Sequence, residues 1–507
     1  MKKYFILLIV LFLLILYYSV QLFFSLDTID SGFVLSLVGR LKSGQLIYKD
    51  FDHIRPFGTP LVWDLICKPI SFQNPYLFII VRCLVIIQTL IISWFVVNLS
   101  EIKLENSKKL FIIALTNILF LHNFNIMPWH TIDGIFFGVI SIFLTKNRYY
   151  FLAVVFALFS ATTKQSFFVF FVLSGIVNLI LIFDNLKKIK LYDVVLSIFF
   201  VSIFLYLIYQ LKIHDSFNFF INQIRTNNGP NDFIEKAIIS YFPNNFKQII
   251  IYLISILFLL FLNKRNKKSF VFLVFFISTS FVYVSPLIND GTSMGDKLLF
   301  LCLSIQSFFF VDNRNKKILL FLLLLLGWSS SISWGYDTPK FLLFPIFLIL
   351  FDKEFKKLYF EILIIVFVIV FIIMKIVFPY CSDSPIKTKY IKAEGVNAIS
   401  GIFMPEKHFE YFKESNRLFN QHRNNVIFLP DNPIADIINN DFPGRASWEM
   451  DIEYPNWKND IFTNKIIVVD KNPIIPIADN FFKSSITQYF LKNKTKIDST
   501  FYFNLYK

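Results

Sequence analysis

Long uncharged apolar runs, separated by short knots of lysine and arginine, constrain this chain more than any other feature of its sequence. The first run, residues 4–24, has about the ~20 residues a bilayer-crossing helix requires. With 55% hydrophobic residues and 66 phenylalanines, the chain carries more apolar surface than a soluble core can hide, so lipid must cover part of it. The opening run is longer than the core of a secretory signal, and no small-residue cleavage site precedes the polar segment after it. It reads as a retained helix.

The knots are Lys2-Lys3, Lys108-Lys109, Lys146 with Arg148, Lys187-Lys188 with Lys190, and residues 264–268, 314–317 and 353–357. Basic residues gather in cytoplasmic loops, and placing every knot there makes the apolar runs alternate consistently. Outward crossings then begin near residues 4, 110, 149, 192, 270, 318 and 358, and inward crossings near 76, 131, 167, 246, 298 and 341. This reading gives an α-helical multispanning membrane protein of about 11–13 transmembrane helices, in residues 1–379. The formal charge of +15 is scattered through its loops, which argues against nucleic acid as a partner. Cys67, Cys83, Cys302 and Cys381 have no paired spacing, so neither a disulfide framework nor a zinc site is expected.

Hydrophobicity falls after residue 378, and residues 380–507 are long enough for a small soluble domain. Pro405-Glu406-Lys407 opens an amphipathic pattern reaching Leu418. Residues 425–429 and 465–469 read as buried strands, each followed by an acidic turn, Asp431 and Asp470. An extracytoplasmic α/β domain is the expectation.

The chemistry-bearing residues fall on the outward connections. The first of these, residues 25–75, contains Asp27-Thr28-Ile29-Asp30-Ser31-Gly32-Phe33 and later Asp52-His53-Ile54-Arg55-Pro56. Asp27 and Asp30 would share a helix face. Either they supply a base that takes a proton from an acceptor hydroxyl, or Asp27 or Thr28 caps an interfacial helix running through Phe33 and Leu37. Arg55 presents a planar fork suited to phosphate oxygens, whether of a ligand or of the headgroup layer. His53 reads more naturally as a polar interfacial residue than as a metal ligand. Asp133, three residues after His130, enters a membrane segment in its first turn; it is either functional or a cap shared with Thr131. Lys164 sits at the apex of an outward hairpin where the charge bias gives no reason for a cation, which leaves phosphate binding or snorkelling. Arg82 and Lys375, inside apolar runs, are given no catalytic role.

At these residues the chain resembles the multispanning GT-C glycosyltransferases that use polyprenyl-phosphate sugars, the protein O-mannosyltransferases (glycosyltransferase family 39) and aminoarabinose transferases among them. The matching stretches are Asp30-Ser31-Gly32-Phe33, Tyr48-Lys49-Asp50-Phe51, Arg55-Pro56, Asp133 and Thr163-Lys164. Ser31 stands where that group usually has a second acid, and Gln165-Ser166 departs from its Gly-Pro turn. The resemblance covers residues 1–180. It implies a membrane glycosyltransferase that moves a sugar from a polyprenyl-phosphate donor to a glycan, lipid or protein acceptor, with inversion. Asp30 would be the base, Asp133 would orient the acceptor or Asp30, and Arg55 and Lys164 would bind the donor phosphate. Asp27, His53 and His130 would be accessory. No cofactor is required by this scheme, and a divalent metal is left open. Membrane lipids would surround it in a bacterial cytoplasmic (inner) membrane, with the active site and tail outside. The alternatives are a transporter or flippase, which should show charges at the midplane and related halves, and a polymerase or ligase of lipid-linked saccharides.

The topology is directly testable: single cysteines replacing Gly44 and Gly229 should react with a membrane-impermeant thiol reagent from the extracytoplasmic side. Labelling from the cytoplasmic side would overturn the assignment.

Overall fold

The computed structural model describes residues 2–213 apart from 29, 52, 54, 100–105, 121–125, 187–188, and then 311–332 apart from 312, and 358–378. In the tail it describes 384–422, 425–429, 432–442, 465–472, 474 and 492–507, and elsewhere a few isolated positions. The spans expected to begin near residues 246, 270, 298 and 341 otherwise lie outside the described residues.

Among the described residues, helices dominate: α1 (Lys2–Phe23), α2 (Phe33–Lys42), α3 (Gly58–Cys67), α4 (Leu77–Leu99), α5 (Asn106–Phe120), α6 (His130–Lys146), α7 (Tyr150–Thr163), α8 (Phe167–Asp184), α9 (Leu191–Gln210), α10 (Arg314–Ser331) and α11 (Leu358–Val377). Three of them, α4, α8 and α9, are long and apolar enough to cross a membrane. Large apolar side chains lie exposed along α8 and α9, such as Phe183 at 72% and Leu191 at 80%. Surface of this kind needs lipid, and the protein is membrane-associated.

Buried polar side chains fasten the helices to one another. Ser160 Oγ of α7 donates to the Gly134 carbonyl of α6 at 2.7 Å, and Ser141 Oγ donates back to the Ala153 carbonyl at 2.7 Å. Thr145 of α6 donates to Asn178 Oδ1 of α8 at 3.0 Å. Where lipid supplies no hydrophobic drive between helices, small residues and such bonds hold them together. Asp193 of α9 accepts from the first amides of α7, Phe151 N and Leu152 N, at 3.1 and 2.9 Å.

The relative depth of α4 and α6 is set at their C-terminal ends. Lys146, the last residue of α6, donates through Nζ to the terminal carbonyls of α4, Asn98 and Leu99, at 2.8 and 3.0 Å. A cation here complements the negative helix end. With those ends level, α4 has 23 residues and α6 has 17. At 1.5 Å per residue, the start of α6 is recessed by about 9 Å relative to the start of α4.

The tail is the α/β unit expected. Its four-stranded sheet runs in the order β3 (Val426–Leu429), β4 (Ile466–Asp470), β6 (Phe503–Tyr506), β5 (Lys496–Ser499); β3 and β4 are parallel and the other pairs antiparallel. Helices α12 (Glu406–His422) and α13 (Pro433–Asn439) pack with it, and β1 (Tyr390–Lys392) and β2 (Phe403–Pro405) form a separate hairpin-like pair. At the end of β4, Asp470 is fully enclosed, and burial pushes its carboxyl up to about 8 while the Tyr411 hydroxyl donates to it at 2.8 Å.

The tail is seated on the chain between α1 and α4. Ser25 N donates to the Phe403 carbonyl at 2.6 Å, and the Phe24 and Phe403 rings stack at 5.0 Å. A Cβ at Gly32 would come within 2.8 Å of Ile434 N, so only glycine lets α13 approach here. Arg40 of α2 is fully buried and reaches Asp436 of α13 at 3.5 Å and the Phe442 carbonyl at 3.5 Å. Gln45 donates to the same carbonyl at 2.8 Å.

Removing one partner of a buried ion pair strands the other charge. Arg40→Ala should therefore destabilise the seated tail by about 3–5 kcal/mol, read as faster proteolysis between the tail and the helical region. Unchanged protection would show that the seat is held by packing alone.

Candidate active site

The first loop is shaped before it carries any chemistry. Arg82, buried in α4, donates to carbonyls at and just beyond the end of α1: Gln21 at 3.2 Å, Leu22 at 3.0 Å and Phe24 at 3.5 Å through Nη1, and Ser25 at 2.5 Å through Nη2. These groups have no partner within their own helix. Ser25 takes the left-handed conformation, φ 62°, that ends such a helix. Asp27 follows, fully buried and within electrostatic reach of the Arg82 guanidinium.

From there the chain turns. Ser31 N donates to the Asp27 carbonyl at 3.4 Å, Asp27 N donates to Ser31 Oγ at 3.1 Å, and Phe33 N donates to the Asp30 carbonyl at 3.1 Å. Asp27 and Asp30 therefore belong to a turn, and the shared helix face does not form. Helix α2 starts at Phe33, as the capping alternative requires, but its N-cap is Gly32 with no side-chain bond. Neither Asp27 nor Thr28 caps it.

Phe33 leads into an aromatic cluster that joins three separated segments. Its ring lies 6.0 Å from His53, 5.4 Å from His130 and 6.0 Å from Trp129. The two histidine rings are 5.6 Å apart. Tyr48 stacks on His53 at 6.0 Å and donates its hydroxyl to the Arg55 carbonyl at 2.7 Å. His53 is not interfacial; it is wholly buried, because α2, α6 and the Tyr48 segment close over it. Burial first, and the Arg55 guanidinium second, push it down to about 3, so it is a neutral imidazole at ordinary pH.

Both cations converge on this cluster. Arg55 and Lys164 each act electrostatically on the His130 ring, although 109 residues separate them in sequence. Lys164 is 2% exposed and does not snorkel. Its Nζ lies 3.5 Å from Thr131 Oγ1 and 3.3 Å from the Ser330 carbonyl of α10. Asp30, also buried, sits one turn ahead of Phe33.

Asp133 occupies its own nest. Its carboxylate accepts from Trp63 Nε1 at 3.1 Å and from Gln88 Nε2 at 2.7 Å. The N-cap of α6 is Trp129, without a side-chain bond, so neither Thr131 nor Asp133 is a cap. The acid instead fixes α3 and α4 to α6 and directs the Arg55-Pro56 segment toward the hairpin of Lys164, where Gly58 lies against Thr162. Trp63 and Gln88 were not singled out from sequence. Gln88 left a trace, as an amide midway along a largely apolar 23-residue helix.

Among the described residues, no three His, Cys, Asp or Glu side chains gather to hold a metal ion. Comparison of the chain with family models, with curated proteins and with solved structures finds no match.

The depressed His53 value has a consequence for stability. The unfolded chain binds a proton at His53 near pH 6.5, the fold only near pH 3, so this group withdraws stability as pH falls through that window. Between pH 7.5 and 5, the thermal midpoint of detergent-solubilised protein should fall less in His53→Phe than in the wild type. An equal fall would contradict a buried neutral imidazole.

Proposed function

We propose that the protein is a membrane glycosyltransferase that moves a sugar from a polyprenyl-phosphate donor to an extracytoplasmic acceptor. The observation that carries this reading is that Arg55 and Lys164, from two different loops, both lie close enough to act on the buried His130 ring, which packs against Phe33 just after the Asp30 turn. Two buried cations brought together among apolar helices suit a phosphate attached to a lipid.

The reaction balances with the chain's own groups. An acceptor hydroxyl oxygen attacks the anomeric carbon, and its proton passes to the Asp30 carboxylate. The bond from that carbon to the phosphate oxygen breaks, and its electron pair leaves with the phosphate. The donor is a phosphodiester with one negative charge, and the departing polyprenyl phosphate gains a second. Arg55 and Lys164 therefore stabilise the leaving group more than the bound donor, which is the condition for lowering a barrier. One displacement inverts the anomeric centre. His53, held neutral beside Arg55, does not compete for the phosphate as a charge. Asp133, held by Trp63 and Gln88, acts as a positioning residue.

The resemblance of residues 1–180 to GT-C enzymes supports the same assignment, as do the three apolar spans and the extramembrane sheet domain. The sidedness assigned to the basic knots puts the proposed site and the tail outside a bacterial cytoplasmic membrane.

With purified protein, a polyprenyl-phosphate sugar and an acceptor, Asp30→Asn should lower kcat by about 10²–10⁴-fold, the contribution of a positioned base. Arg55→Ala and Lys164→Ala should chiefly weaken donor use. Full turnover by a folded Asp30→Asn protein would remove the base from the scheme.

A further inference from the structure

The opposite end of the helical region holds a second charged space, independent of the transferase reading. Where α6 and α8 finish and α7 and α10 begin lies a cavity of about 500 Å³. Its rim carries three cations, Lys146, Arg148 and Arg314, against one acid, Asp184. Arg314 pairs with Asp184 at 2.8 Å, but the side chains are 72% and 43% exposed. A pair so exposed is held weakly against a competing anion. Lys146 is occupied with the α4 carbonyls and contributes its charge alone. Among the described residues, the exposed Arg148 guanidinium is paired with no acid. Planar guanidinium forks are the groups that clasp phosphate in two places.

The inner wall is apolar, formed by Leu181, Ile318 and Leu319. The helix that supplies Leu181, α8, also exposes Leu179, Ile180 and Phe183 nearby in sequence, at 52%, 51% and 72%. A polar rim that opens onto an apolar helix face has the shape of a phospholipid seat. Basic pockets between helices at a membrane surface hold anionic headgroups.

We infer that this cavity binds the phosphate of an anionic phospholipid, with the acyl chains lying along the exposed face of α8. Free phosphate shares the headgroup chemistry but has no use for the apolar wall.

Delipidated protein in a neutral detergent can be titrated with phosphatidylglycerol, phosphatidylcholine or inorganic phosphate, with adducts read by native mass spectrometry. Phosphatidylglycerol should be retained about tenfold better than phosphatidylcholine, given the attraction of each basic residue for anionic lipid, and millimolar inorganic phosphate should leave it bound. Arg148→Gln with Arg314→Gln should remove the preference, and Arg148→Lys with Arg314→Lys should keep part of it. Equal retention of the two lipids by the wild type would overturn the site. So would an unchanged preference in a glutamine variant whose thermal midpoint matches the wild type. Displacement by inorganic phosphate would overturn its assignment to lipid.

Discussion

A single buried arginine fixes the direction in which the chain leaves its first helix. From the body of α4, Arg82 donates to four carbonyls at and just beyond the end of α1, so the chain turns at Ser25 in one defined direction. Left without those donors, the carbonyls would be buried polar groups with no partner, each costing about 1–3 kcal/mol. The charge of Asp27 offsets that of the guanidinium. This corner in turn sets the Asp30 turn, α2 and the seat of the tail.

The proposed site is built on helices of unequal length. Because α6 starts about 9 Å below α4, Asp133 meets Gln88 halfway along α4 and not at its end. The acid can then bind α3 from the side and hold the Arg55 segment against the Lys164 hairpin. The tail closes the arrangement from above: α13 rests on Gly32 and Arg40 is clamped between Asp436 and Phe442. The C-terminal sheet domain thereby stiffens the loop that carries the proposed base.

Periodicity and hydropathy made much of this legible. The starts of α4, α6, α7, α8 and α9 fall within two residues of where apolar runs begin, and β3, β4 and α12 lie where buried strands and an amphipathic helix were expected. Helix α3 was not legible, since ten residues in a polar loop carry too short a pattern to separate from interfacial chain. Gly32 read as part of a motif, yet its contact is Pro433-Ile434, some 400 residues away, and no local signal reports that. The capping alternatives for Asp27 and Asp133 failed for one reason. A carboxylate beside a helix start caps it only when nothing stronger claims it, and here Arg82 lies beside the first while Trp63 and Gln88 hold the second.

The account rests on one phosphate being shared by two cations from separate loops. A structure determined with polyprenyl phosphate bound tests that most directly. The phosphorus should lie between Arg55 and Lys164, with its oxygens within about 3 Å of donors on both side chains and the Asp30 carboxylate facing the side where the sugar would attach. A phosphate held by only one of the two, or by neither, would contradict the shared site and the transferase built on it.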